Sequence, residues 1–386
     1  MRGGATKMIK GFKIRLYPTK DQEQLVWKYI GCCRFIWNYM LALQEERHQN
    51  GEKHLSGFDM NNLLKPLKND GEHEWLKEVP NASLQRSCGD LAEAYGRGFK
   101  KISRFPKFKS KKRSQAAYPV RCDGVHFLDV SFVKIEKLGK VRYKTDFDLP
   151  KGRGVKFSNP RISNKNGKWF LSFGMECENQ APALNDYSMG IDLGIKETMV
   201  VAYGDESFVF HNINKSRKVK QLKWRMKHLQ RSISRKYEAN KQGNTFVKTN
   251  NIARQEGKLR KMYARFTGIR MNYIHQMTHQ IVMLLPYRVV MEDLNVQGMM
   301  KNKHLSKAIQ EQCFYEIIRQ MKYKCEWNDI EFIQADRFYP SSKTCSNCGC
   351  VHKGLTLKDR TFICPECGFT IDRDYQAALN LSRYTA

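Results

Sequence analysis

The chain has 386 residues, enough for two or three domains that each bury a core. Its 68 Lys and Arg outnumber 38 Asp and Glu, and a formal charge of +30 points to a polyanionic partner, because each neutralised phosphate releases counterions. The longest apolar run, IVMLLPYRVV, has ten residues, which excludes a membrane span; with no apolar signal core, the twelve cysteines are expected as thiols or metal ligands of a cytoplasmic protein.

Residues 1–7, MRGGATK, carry no part of the reading. IKGFKIRLY, 9–17, alternates basic and apolar residues as a half-buried strand does, and Pro18 stops it. The stretch to about 49 spaces Leu25, Ile30, Cys33, Trp37 and Met40 as one buried helical face. More helix follows to about 103, including NASLQRSCGDLAEAYGRGF after Pro80, with Asn81 or Ser83 as the cap. RFPKFKSKKR, 104–113, sets six basic residues among two aromatics with no acid. Short β runs recur from 118 to 177 around Gly and Asn turns. Strands on both sides of the helical stretch predict one β-rich module interrupted by helices. ENQAPALND, 178–186, has the composition of a linker.

Beyond it MGIDLG, TMVVAYG and SFVFH are three strands. Residues 215–236 carry ten Lys or Arg and no acid at a period compatible with helix. A second helix covers about 252–285, and YRVVMED is the next strand. Leu305, Ile309, Cys313, Ile317 and Met321 then share one helical stripe, IEFIQ is a strand, and a short helix closes the chain. This is the element order of an RNase-H-like α/β fold.

Cys345-x2-Cys348, fifteen residues, then Cys364-x2-Cys367 gives two knuckles with Gly349 and Gly368 beside them. Four thiolates close a tetrahedron around Zn²⁺ and leave no open position, so the site is structural. Cys350 competes in register and is expected to stay outside. Three carboxylates stand on separate elements: Asp192 at the end of GIDLG, Glu292 closing VVME, and Asp374 starting the last helix. Together they offer hard oxygen donors for two divalent ions that clamp an in-line phosphoryl displacement. Singly, Asp192 also fits a strand-end turn, Glu292 a lysine pair, and Asp374 a helix cap.

From about 188 onward the chain resembles the TnpB family, carried by GIDLGIKETMVVA, VVMEDLNVQGMMKN, DRFYPSSKTCSNCG and CPECGFTIDRDYQAALNL. KGFKIRLYPTKDQEQLV, CCRFIWNYML, FPKFKSKKR and KLGKVRY extend the likeness to the N-terminal half. The resemblance implies an RNA-guided DNA endonuclease with a RuvC-type nuclease domain at 181–342 and 371–386 and a zinc ribbon at 343–370. A wedge β-barrel at 8–20 and 104–180 would be interrupted by a helical recognition insertion at 21–103. It also implies Asp192, Glu292 and Asp374 as the nuclease acids with Mg²⁺ or Mn²⁺, a guide RNA from the element's own end, and a double-stranded DNA target next to a short motif. A monomer on one RNA, close to the nucleoid of a prokaryotic cell, is the expected state. The family's Asp-x-Asn-Ala-Ala motif is Asp374-Tyr375-Gln376-Ala377-Ala378 here, which lengthens the amide. Gln85 and Arg86 are the candidates for base edges, Lys109, Lys111, Lys112 and Arg113 for phosphates, and Arg337 and Lys343 for the cleaved strand. An RNA-guided repressor without cleavage, or an unguided RuvC-like resolvase, are the rival readings.

Overall fold

Thr19 and Gln22 open the first helix with a reciprocal cap, each side chain accepting from the other's backbone N–H. That helix, α1 (Lys20–Gln49), follows strand β1 (Thr6–Tyr17). The computed structural model describes residues 6–147, 149, 157–179, 182–356 and 359–385. The chain divides into two compact units, Thr6–Glu178 and Asn179–Ala386. The division falls inside the stretch expected as a linker. Residues 180–181, which hold the expected domain boundary, lie outside the described residues, as does most of MRGGATK.

In the N-terminal unit, α2 (Gly57–Leu67) and α3 (Asn81–Phe99) join α1. They are followed by β2 (Ala116–Pro119), β3 (Val125–Phe127), β4 (Phe132–Ile135), β5 (Gly139–Lys144), β6 (Phe157–Lys165) and β7 (Lys168–Asn179). The seven strands lie in the order β2-β6-β7-β1-β5-β4-β3, so β1 from the start of the chain sits inside a sheet built after the helices. No ladder between the outer strands β2 and β3 closes this sheet into a barrel among the described residues. Helix and sheet residues share one core, with Ile36, Met40 and Leu41 in the same cluster as Leu84, Leu91, Phe127 and Val141. Two local expectations change. Leu25 is exposed, and the buried stripe of α1 begins at Val26. Neither Asn81 nor Ser83 caps α3: the cap position is Pro80, Asn81 accepts from Lys68 Nζ, and Ser83 is buried.

The C-terminal unit begins with β8 (Asn185–Leu193), β9 (Glu197–Tyr203) and β10 (Glu206–His211). Helix α4 (Arg217–Ala239) and a two-residue hairpin, β11 (Lys241–Gln242) and β12 (Thr245–Phe246), lead to α5 (Asn250–Met283). Then come β13 (Pro286–Glu292), α6 (Val296–Met299), α7 (Ser306–Gln312), α8 (Phe314–Trp327) and β14 (Glu331–Ala335). A small ladder of β15 (Thr361–Ile363) and β16 (Thr370–Asp372) precedes α9 (Arg373–Ser382). The sheet order is β10-β9-β8-β13-β14, with the first three strands antiparallel and β13 parallel to both β8 and β14. This is the RNase-H-like arrangement. The stripe from Leu305 to Met321 is not one helix: Cys313, at φ +58°, sits left-handed between α7 and α8, and Leu305 is exposed. Ile309, Ile317 and Met321 still enter one core, so side-chain spacing survived a break that it could not reveal.

Candidate active site and zinc centre

Strand alternation decides where the first two acids point. Met189, Ile191 and Leu193 of β8 and Val289 and Met291 of β13 pack with α5 and α8 on one face of the sheet. The intervening residues therefore face the other side. Met291 is in register with Ile191, so Glu292 and Asp192 end adjacent parallel strands on that second face. Helix α9 covers it: Val200, Ala202, Ala378 and Leu379 form one cluster there, and Val290, Ala335 and Leu381 another.

Gly190 lets α9 come this close. A Cβ at 190 would fall 2.0 Å from Ala378 O and 2.3 Å from Ser382 N, so only a hydrogen there admits the helix backbone. What approaches at GIDLG is thus the element that carries the third acid. The C-terminal half of α9 lies over Gly190, and its first turn brings Asp374 to the Asp192 end of the strand. Asp372 caps this helix, its Oδ1 accepting from Asp374 N at 2.9 Å and Tyr375 N at 3.1 Å. The cap role that Asp374 could have filled thus falls to Asp372. Arg373 Nη2 donates to Asp374 Oδ1 at 3.1 Å, and Arg360 Nη1 lies 3.7 Å from Oδ2. Arg373 stands next to Asp374 in sequence and was findable there. Arg360 reaches it across the β15–β16 ladder and left no sequence signal.

Charge is crowded at this corner. Burial, then the carboxylates of Asp374 and Glu292, push the Asp192 carboxyl up to about 8. Glu292 is also raised, by burial first and then by Asp293. Asp293 itself pairs with Arg337 at 2.5 Å. Among the described residues, the four thiolates of Cys345, Cys348, Cys364 and Cys367 are the one group of three or more candidate ligands mutually within 4.8 Å. The three carboxylates are therefore more widely spread than that.

The cysteines fit zinc. Cys345 Sγ lies 3.7 Å from Cys367 Sγ, and Cys348 Sγ 3.5 Å from Cys364 Sγ. Four bonds of about 2.3 Å at tetrahedral angles require edges of about 3.8 Å. Cys350 stays outside the group, and its carbonyl accepts from Cys345 N at 2.8 Å. The first knuckle is tied to α9. Buried Gln376 donates to Thr344 O and accepts from Ser346 Oγ at 3.0 Å, while Asn380 Nδ2 donates to Ser341 O and Thr344 O at 2.6 Å each. The longer amide at 376 thus anchors Asp374's helix to the residue before Cys345.

The expected nucleic-acid contacts divide. Lys111, Lys112, Arg113 and Gln85 are exposed. Arg86 is held by Asp90 and Glu93 of its own helix, at 3.2 and 3.0 Å. Lys109 is half-buried, its Nζ 3.3 Å from the centre of the Trp37 ring, and burial lowers its pKa to about 8. Arg337 is engaged by Asp293, and Lys343 is half-buried in the approach to the first knuckle.

Comparison with known proteins follows the same lines. Residues 172–303 match the family described as "Probable transposase", 314–381 "Cas12f1-like, TNB domain", and 8–53 "Helix-turn-helix domain". In this chain the last segment is β1 followed by the single thirty-residue helix α1. "Putative RNA-guided DNA endonuclease InsQ" of Escherichia coli (strain K12) is 31% identical, over 97% of this chain and 92% of the relative. "Putative RNA-guided DNA endonuclease" of Streptomyces pristinaespiralis is 28% identical, over 96% and 88%. The solved structure described as "Cryo-EM structure of the Cas12f1-sgRNA-target DNA complex" shares the fold at TM-score 0.54 and 13% identity, covering 97% of this chain and 99% of that one. Similarity of this extent along both full chains, joined to the transposase match, means that the protein belongs to the TnpB family.

Proposed function

We propose that this protein is an RNA-guided DNA endonuclease in which Asp192, Glu292 and Asp374 form a single phosphodiester-hydrolysing centre. The observation that carries the reading is the meeting of three acids from β8, β13 and α9 on one face of the sheet, with burial and mutual repulsion raising Asp192 to about 8. Carboxylates crowded in this way carry their full charge only where cations join them, and Arg373 and Arg360 stand beside Asp374 alone in the hydrogen bonds and ion pairs of the site. Asp192, Glu292 and Asp374 are hard oxygen donors suited to Mg²⁺ or Mn²⁺, and three such donors would share a pair of ions about 4 Å apart. Bound there, the metal would polarise the phosphate and lower the pKa of the attacking water. The chain's own contribution is placement: strand ends fix two carboxylates, and the ribbon-anchored α9 fixes the third. Hydrolysis at phosphorus would leave 5′-phosphate and 3′-hydroxyl ends, each strand being cut in turn.

The names carried by the two bacterial relatives support a guide RNA and a DNA target. Base pairing would then supply sequence specificity, while the protein reads a short adjacent motif and backbone shape. In this reading the seven-stranded sheet is the wedge, α1 to α3 the recognition insertion, and the four-cysteine module a structural zinc ribbon. Asp192→Ala is expected to lower cleavage of a guided target by at least about three orders of magnitude while leaving target binding and zinc content unchanged. Retained cutting in that variant would remove Asp192 from the centre.

A further inference from the structure

We propose that Tyr95, Phe99 and Phe105 form a stacking platform for unpaired bases of RNA. Phe99 and Phe105 are large apolar side chains left 60% and 53% exposed. Their ring centroids lie 5.4 Å apart at 79°, and Tyr95 stacks on Phe99 at 6.1 Å and 29°. His54, just ahead of α2, supports the group, its ring 4.5 Å from that of Tyr95.

The cluster is built into the fold. Phe105 lies against Gly98 of α3, where a Cβ would come within 2.8 Å of its ring. The strap that follows is fastened to α1: Trp37 Nε1 donates to Lys107 O at 3.1 Å, and Asn38 exchanges bonds with the Lys109 backbone at 2.9 and 2.8 Å. Rings held this way lose little freedom on binding, which favours affinity.

Charge selects the partner. Residues 97–113 contain nine Lys or Arg and no acid, and Lys100, Lys101 and Arg104 beside the rings are exposed. Glu45 of α1 acts on the half-buried Tyr95. A second copy of this chain would bring its own +30 and is a poor match. Nucleic acid offers phosphates for the rim and flat π-faces for the rings. Only unpaired bases present those faces, since a duplex hides them in its stack. RNA is the favoured strand because, on the function proposed above, the guide is the one bound before any target is met, and an apolar patch exposed until then would invite aggregation.

The test uses the full chain freed of co-purified nucleic acid, with three fluorescein-labelled probes: an unstructured 12-nucleotide RNA, DNA of the same sequence, and an RNA hairpin closed by a compact tetraloop whose bases are paired and stacked within the loop. Phe99→Leu/Phe105→Leu keeps apolar bulk and removes the rings. It is expected to weaken unstructured RNA about 10- to 100-fold, with hairpin binding and the salt slope unchanged. Lys100→Gln/Arg104→Gln should instead weaken all probes and flatten the salt slope. Phe105→Trp should keep its affinity and, read against the parent with its six tryptophans, lose more indole fluorescence when the same RNA without its label is added. Unstructured-RNA affinity within about twofold of the parent, an equal loss on the hairpin, a loss confined to DNA, or no loss of indole emission beyond the parent's for Phe105→Trp at saturating RNA each overturns the proposal. No guide, target or cutting enters this assay, so failure of the nuclease reading leaves its outcome intact.

Discussion

Asp192 illustrates what one side chain can report. An unfolded-chain aspartate titrates near 3.8, whereas burial and the two neighbouring acids lift this one to about 8. Between those values the unfolded chain has released a proton that the folded chain retains, so metal-free stability falls as pH rises from about 4 to about 8. Without added divalent ion, Asp192→Asn should therefore melt several degrees above the parent at pH 8, the gap closing toward pH 4 and on addition of Mg²⁺. Equal melting temperatures at pH 8 would mean that the three carboxylates do not press on one another. The four cysteines were legible because their spacing exposes them, whereas the three acids were singled out by the resemblance. Their partners were not: Arg360 meets Asp374, and Gln376 meets Thr344 and Ser346, only because β15, β16 and α9 fold back on one another.

Among the elements, α9 has the most to lose. Gly190→Ala would drive a methyl group into the Ala378 carbonyl and the Ser382 amide, both backbone and unable to swing aside. The expected result is a loss of more than about 2 kcal/mol, with cleavage falling because Asp374 moves with its helix. Gly268→Ala in α5 is the control, since nothing lies within 4 Å of its Cβ; it should be neutral or stabilising by up to about 1 kcal/mol. Comparable destabilisation by both, measured by thermal melting, would show that Gly190 does not seat α9. The strands were readable as short apolar runs, which β8 and β13 bury on both faces, and the long helices from a periodic stripe such as that of α1. The break at Cys313 was not, because a single left-handed residue leaves the apolar spacing of Ile309, Ile317 and Met321 almost unchanged.

Across the molecule the two units differ from the ribbon in how they are stabilised. Each unit has a broad buried core, whereas the ribbon cluster comprises Cys345, Leu355, Phe362 and Cys364 with three partly buried neighbours. So small a core would depend on a metal held by the four cysteines. Cys348→Ser should reduce zinc content below one per chain and abolish cleavage by loosening the knuckle that holds Gln376 and Asn380. The bulk of the helical circular dichroism should persist, because α1, α4 and α5 lie outside the ribbon. Full cleavage by a zinc-free variant would separate the ribbon from the carboxylate centre. Among the described residues no helix is long and apolar enough to cross a membrane. Sequence alone determined the chain's own charge, the main strand and helix order of the C-terminal unit, the four-cysteine set and, through its motifs, the family, since charge, periodicity, spacing and motifs are local properties of a chain. Only the tertiary structure decided which side of the sheet Asp192 and Glu292 share, that α9 lies over Gly190, and that Asp293 already holds Arg337: those depend on contacts between segments 44 to nearly two hundred residues apart, which no local pattern encodes.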